Sequence, residues 1–205
     1  MRKAFRTAAF ALALIFAAAL CGCHKEKEQV KPEKGGETVL SEEQNARAAE
    51  LGRAFSLFGE CDIDKGLELR RVEYMIYCMY TGTLGPTDVE GYGMISREEA
   101  DEMLRELFNG FDPKSIVRTK YDAEEDQALY LSGDRYFVKL SDLSAYEYKV
   151  TASNELVDRN GERLGDVVTV SVINGGTPEM ALRLELIDSA EAVYSIRKCT
   201  VEYYD

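Results

Sequence analysis

The chain has no tryptophan and a single histidine, His24, among 205 residues. Catalytic sets that use imidazole as general base need that ring beside a nucleophile. His24 lies in a charged stretch near the N-terminus, so such sets are almost excluded. The lack of tryptophan removes the best stacking surface for sugars, although 12 tyrosines keep weak carbohydrate binding open. There is no P-loop, no dinucleotide fingerprint and no HExxH pattern. The longest uncharged apolar run is the 13 residues from Ala8 to Leu20, and a membrane-spanning helix needs about 20. Cysteine is sparse as well. Beyond Cys21 and Cys23 only Cys61, Cys78 and Cys199 remain, an odd number and no disulfide scaffold. A Cys61–Cys199 bridge is one pairing the sequence leaves open, while Cys78 lies in an apolar helical pattern and reads as a small core residue. Basic residues are outnumbered, 25 against 37 acids for a net charge of −12. That charge opposes binding to DNA or RNA.

What is present begins with Arg2, Lys3 and Arg6 followed by the uncharged run, the basic and apolar regions of an export signal. The run ends in Leu20-Cys21-Gly22-Cys23, which resembles the lipobox of bacterial lipoprotein signal peptides. Leu20 and Gly22 match, and Cys21 fills a loosely specified slot. The resemblance implies cleavage between Gly22 and Cys23 and a lipid on Cys23. An ordinary secretory cut fits less well, since Ala19-Leu20-Cys21 would place a cysteine last before cleavage. A thiolate and imidazole set of Cys21, Cys23 and His24 would suit zinc or copper, but leaves the basic start unexplained. A cytoplasmic protein with a buried N-terminal helix is the plainest alternative. The expected organisation is a lipoprotein signal peptide over 1–22, a lipidated flexible tether over 23–40 and a single α+β domain over 41–205. Cleavage would leave 22 bases against 37 acids, a charge of −15. The expected location is the outer face of the bacterial cell membrane, on the periplasmic side or the outer membrane in a Gram-negative cell. The acidity reads first as solubility and second as a preference for cations or basic partners.

From His24 to Val39 the mixed charge of Lys25-Glu26-Lys27-Glu28, with Pro32 and Gly35-Gly36, predicts a leash that cannot repay the entropy of ordering. Ser41-Glu42-Glu43-Gln44 is a capping box. Leu51, Ala54, Phe55 and Phe58 then recur at helical spacing up to Gly59. Leu69, Val72, Ile76 and Met79 predict a second helix from about Lys65 to Tyr80. Tyr92 to Ile95 reads as a short strand. A second capping box, Ser96-Arg97-Glu98-Glu99, opens a helix with Ala100, Met103, Leu104, Leu107 and Phe108 on one face. The period then changes from 3.6 to 2. Leu129-Tyr130-Leu131 and Tyr136-Phe137-Val138 flank a hairpin turn. Tyr146, Tyr148, Val150 and Ala152 predict one apolar strand face. Asn160-Gly161 and Gly175-Gly176 turn the next strands, and Ala192 to Tyr204 is expected to close the sheet.

Helices followed by a strand meander predict an α+β fold: three N-terminal helices packed on a curved antiparallel sheet of four to six strands. This order resembles the cystatin-like and nuclear-transport-factor-two-like folds, which implies a roll around a cone-shaped pocket. Gly93-Met94-Ile95-Ser96-Arg97-Glu98-Glu99, Glu106-Leu107-Phe108 and Tyr121-Asp122 also resemble segments of lipoproteins from clostridial-type bacteria. The motifs are caps and turns, and carry no catalytic residue over.

Candidate chemistry is thin. A carboxylate and tyrosine set, of the kind that the cone-shaped fold implies for an isomerase or dehydratase, would draw on Tyr74, Tyr77, Asp88 and Tyr92. Asp62, Asp64 and Glu73 fall at positions 1, 3 and 12 of an EF-hand count, but Leu67 stands where the loop needs glycine. Asp122-Ala123-Glu124-Glu125-Asp126 and Asp158-Arg159-Asn160-Gly161 read as solvated turns before cation loops. The sequence therefore assigns no catalytic residue, no metal ligand and no cofactor. It predicts a membrane-tethered, non-enzymatic binding or envelope-associated module. The expected partners are the lipid bilayer, through acylated Cys23, and a protein, peptide or small ligand, with no nucleic acid.

Overall fold

The computed structural model describes residues 33–204. In chain order they form strand β1 (Glu33–Glu37), helix α1 (Glu42–Phe58), β2 (Cys61–Asp62), the single turn α2 (Leu69–Val72), α3 (Tyr74–Tyr80), β3 (Tyr92–Ser96) and α4 (Arg97–Leu107). Strands β4 (Leu129–Ser132), β5 (Arg135–Lys139), β6 (Tyr146–Val157), β7 (Arg163–Asn174), β8 (Thr177–Ser189) and β9 (Val193–Tyr203) follow. The expected signal peptide over 1–22, with Gly22, and the expected lipid attachment at Cys23 lie outside the described residues.

Both capping boxes form. The Gln44 amide donates to Ser41 Oγ at 3.2 Å and the Ser41 amide donates to Gln44 Oε1 at 2.9 Å. Ser96 and Glu99 repeat the exchange at 3.1 Å in each direction. Each box satisfies two amide donors that a helix start leaves without a partner. The α1 stripe of Ala48, Leu51, Ala54, Phe55 and Phe58 is buried on a large antiparallel sheet of order β1-β6-β7-β8-β9-β2. Facing it are Val168, Val170 and Val172 of β7 and Leu182, Leu184 and Leu186 of β8, paired across the strands as Val168–Leu184 and Val170–Leu182. Each such side chain removed from water contributes about 1.5–3 kcal/mol. Gly52 sets how closely helix and sheet approach, since a Cβ there would stand 2.6 Å from Val170 Cγ1. Arg53 fastens α3 to α1 by donating to the carbonyls of Cys78 (3.3 Å), Met79 and Thr81 (3.0 Å) at the α3 C-terminus.

The expected roll is not what forms. The described residues are mostly β, with 40% strand and 26% helix, and nine strands divide between two sheets of six and three. The reason is pairing. The β4–β5 hairpin does not continue into β6. Instead β5 aligns with β3, from Tyr92 opposite Lys139 to Ser96 opposite Arg135, and makes a separate sheet of order β3-β5-β4. The second predicted helix is also broken into a turn of 3₁₀ helix (Ile63–Lys65), α2 and α3. At the break the Glu73 side chain is buried and engages Thr119 and Tyr136. The end of the expected leash is docked as well. β1 pairs with β6, the Thr38 amide donates to the Ser153 carbonyl at 3.2 Å, and the Ser153 hydroxyl donates to the Thr38 carbonyl at 2.6 Å. The β1–β6 pairing is not legible in the residue types, because its ladder is built from main-chain groups, and the Thr38 hydroxyl that also holds the segment bonds Asp166, 128 residues away. Finally, a bulge between Val150 and Ala152 turns Ala152 away from the α1 side and exposes it, as one extra residue reverses the alternation. The edge beyond β9 is taken by β2, so β9 lies inside the sheet.

Candidate functional site

A groove of about 470 Å³ lies between α1, α3, β3 and α4. That lies within the roughly 300–1,000 Å³ of ligand sites. Its floor is apolar and thioether-rich: Met79 from α3, Leu84 from the loop after it, Met94 and Ile95 from β3, and Met103 from α4. The rim is acidic. On α4 the spacing of Glu99, Glu102 and Glu106 puts three carboxylates along one face. Glu50 of α1 adds a fourth, partnered at 2.7 Å by Arg47, the one basic side chain in the lining. Tyr80 reports the resulting field: its phenol is pushed up to about 12, by burial first and then by Glu99, Glu50 and Glu106. A negative rim over a soft apolar floor favours a cation carried on an apolar body.

A second, smaller cavity of about 270 Å³ is lined by Glu73, Tyr74, Thr119, Glu125, Gln127 and Leu129, among others. A carboxylate beside tyrosines is what a pocket isomerase would need. Here both oxygens of the carboxylate are engaged. Glu73 accepts from the Thr119 amide at 2.9 and 3.0 Å, from Thr119 Oγ1 at 2.7 Å and from the Tyr136 hydroxyl at 3.0 Å. Tyr136 accepts in turn from Arg118 at 2.5 Å, and Arg118 holds Asp101 at 2.8 and 3.0 Å. Burial first, and then Glu73, push the Tyr136 phenol up. The network joins the helix break, the 113–119 segment, α4 and the small sheet. It fastens these elements together, with three donor hydrogens meeting the two carboxylate oxygens.

A third polar cluster lies at one end of the large sheet. Asp166 is buried and accepts from Tyr194, from Thr38 Oγ1 at 3.1 Å and from Arg163 at 2.8 and 3.2 Å. Burial alone would raise the Asp166 carboxyl, but these donors outweigh it and hold the group below its ordinary value.

The residues singled out from sequence are not gathered into one site. Tyr74 and Tyr77 stack on each other at 5.2 Å, and Tyr77 bonds Ser141 at 3.0 Å. Asp88 is exposed in the loop before β3. Tyr92 donates to the Gln127 carbonyl at 2.7 Å and joins Tyr130, Tyr121 and Phe137 in an aromatic cluster on the small sheet. Asp62 pairs with Lys65 at 3.3 Å and Asp64 with Arg197 at 2.6 Å, while Glu73 turns inward. The three side chains of the EF-hand count thus face different partners. Asp122 caps the Glu124 amide at 3.0 Å, Asp126 pairs with Lys139 at 2.6 Å, and Asp158 accepts from the Asn160 and Glu162 amides, each at 2.8 Å. Among the described residues no group of three or more His, Cys, Asp or Glu side chains is placed to hold a metal ion, and no helix is long and apolar enough to cross a membrane.

The groove escaped the sequence reading, although half of it was visible there. Glu99, Glu102 and Glu106 share a face of the most regular helix, a signal that reads equally as a solvated surface. Which elements stand opposite that face is a tertiary fact. Comparison with protein-family models, with curated proteins and with solved structures finds no match.

Proposed function

We propose that this chain is a lipoprotein held by acylated Cys23 on the outer face of the bacterial membrane, and that its folded part is a non-enzymatic binding module. The groove receives a cationic group attached to an apolar body, such as a lysine- or arginine-bearing peptide with an adjoining aliphatic face. The carrying observation is the four-glutamate rim above Met79, Met94 and Met103. The acylated cysteine rests on the signal-like N-terminus. Two or more acyl chains would hold the protein stably where one would not, and a strongly acidic body would be kept off an anionic lipid surface.

Two measurements test this. Cells fed a labelled fatty acid should incorporate the label into the protein and lose it in Cys23→Ala. Labelling that survives that substitution, or fails in the parent, overturns the anchor. Fluorescence anisotropy with an amphipathic lysine/leucine peptide, and with its glutamate/leucine counterpart, tests the groove. Binding should be confined to the lysine peptide and weaken as salt rises. Equal binding of both peptides, or of neither, removes the assignment.

A further inference from the structure

Cys61 and Cys199 stand directly opposite one another in the antiparallel pairing of β2 with β9. Opposed residues in such a pair point to the same side of the sheet, with Cβ atoms about 4.5–5.5 Å apart. A disulfide wants about 3.5–4.5 Å between Cβ atoms and about 4.4–6.8 Å between Cα atoms, so a small inward adjustment suffices. Both thiols are free in this structure. The third cysteine, Cys78, is buried within α3, apart from this pairing.

We propose that Cys61 and Cys199 form a disulfide that locks β2 to β9 under oxidising conditions. Cys61 is the entry point. It is only partly buried and lines a cavity of about 250 Å³ with Phe58, Leu67, Arg71 and Val72, whereas Cys199 is 1% exposed. A small disulfide oxidant, of the glutathione disulfide class, reaches the Cys61 sulfur first. The Cys61 thiolate attacks one oxidant sulfur, forming a mixed disulfide and releasing one thiolate that takes up a proton. The Cys199 thiolate then attacks the Cys61 sulfur and releases the second thiol. Two protein thiols are oxidised and one small disulfide is reduced to two thiols.

Burial pushes the Cys61 thiol up to about 11 and the Cys199 thiol up further. The thiolate is the attacking form, so the bond closes slowly in the folded state and readily while the chain is folding. Its structural effect follows from its place. β2 is a two-residue edge strand; besides its main-chain pairing with β9, Asp62 meets Lys198 at 4.0 Å and Asp64, in the adjoining turn, meets Arg197 at 2.6 Å. Such pairs are screened by salt, and a covalent link is not. The bond depends on the oxidising power of the surroundings and owes nothing to the groove or its ligand.

The test uses the full chain with Cys21→Ser and Cys23→Ser, so that Cys61, Cys78 and Cys199 are the only thiols. The unfolded protein is refolded in glutathione and glutathione disulfide, quenched by alkylation, and its peptides are mapped by mass. The expected product joins the Cys61 and Cys199 peptides and is lighter by about 2 Da than the dithiol. Cys78 should be alkylated, and the urea midpoint should rise relative to the reduced protein and fall back on reduction. Adding Cys78→Ser should leave the link intact, and adding Cys61→Ser should abolish it. Alkylation of both Cys61 and Cys199 in the refolded protein, or a link from Cys78 to either, overturns the proposal. The map of the three-thiol chain, with no further substitution, decides the matter even where a further variant does not fold.

Discussion

Tyr136 donates its hydroxyl hydrogen to Glu73 Oε1 at 3.0 Å across 63 residues of sequence. This bond joins the middle strand of the small sheet to the break between α2 and α3, and it fixes how Glu73 should respond to substitution. As a fastening, Glu73→Ala strands the Thr119 amide and hydroxyl and the Tyr136 hydroxyl, at a cost of about 3–5 kcal/mol. Tyr136→Phe removes one donor and should cost about 1–2 kcal/mol. The two should be non-additive in a double-mutant cycle read by urea unfolding. An active-site carboxylate held under strain would give the reverse, a neutral or stabilising Glu73→Ala.

Asp166 makes stability sensitive to acid. Its folded-state carboxyl lies below the ordinary value because Arg163, Tyr194 and Thr38 donate to it in spite of burial. A depressed carboxylate contributes stability in full above the unfolded value of about 3.9, and that contribution is lost as pH falls through the folded value. Asp166→Ala should cost about 3 kcal/mol at pH 7. Unfolding free energies of parent and variant should converge toward pH 2. Parallel curves down to that pH would contradict the assignment.

Gly52 sets two effects against each other. In a helix interior, glycine to alanine ordinarily stabilises by about 1 kcal/mol. Here the new Cβ would meet Val170 Cγ1 at 2.6 Å and Cβ at 3.0 Å, and overpacking costs about 1–3 kcal/mol. Gly52→Ala should therefore forfeit the alanine advantage and come out destabilising by up to about 2 kcal/mol. Combining it with Val170→Ala should recover the alanine advantage, as thermal unfolding of the pair against Val170→Ala alone would show.

The groove proposal predicts a charge effect confined to its rim. Glu102→Lys should weaken lysine-peptide binding about tenfold at low salt, roughly 1.4 kcal/mol. Glu147→Lys, on the exposed β6 surface, should change it little. Anisotropy titrations at two ionic strengths separate the outcomes. A Glu102→Lys variant that binds as the parent does removes the rim from the interface.

Local signals survived folding wherever they concerned neighbours in the chain. Ser41 with Gln44 and Ser96 with Glu99 are three residues apart, and their caps can be read without any tertiary knowledge. The valines of β7 and leucines of β8 alternate at the strand period, so their buried face was legible too. Sheet membership was not. β3, β4 and β5 carry the same alternation whether they extend the large sheet or stand apart, since periodicity states which face is apolar and not which strand is adjacent. The break at Glu73 was hidden for a related reason. Leu69, Val72, Ile76 and Met79 keep helical spacing, while what turns Glu73 inward is Thr119, 46 residues later.

By itself the sequence determined the helix starts, the strand alternation, the acidic charge and the poverty of imidazole chemistry, because each depends on residue identity or on contacts within a few positions. Only the tertiary structure decided that there are two sheets, that the glutamates of α4 overlook a methionine floor, and that Cys61 faces Cys199. These relationships are set by backbone pairing and packing between segments far apart in the chain, where many registers suit the same pattern and the burial of the whole core selects one.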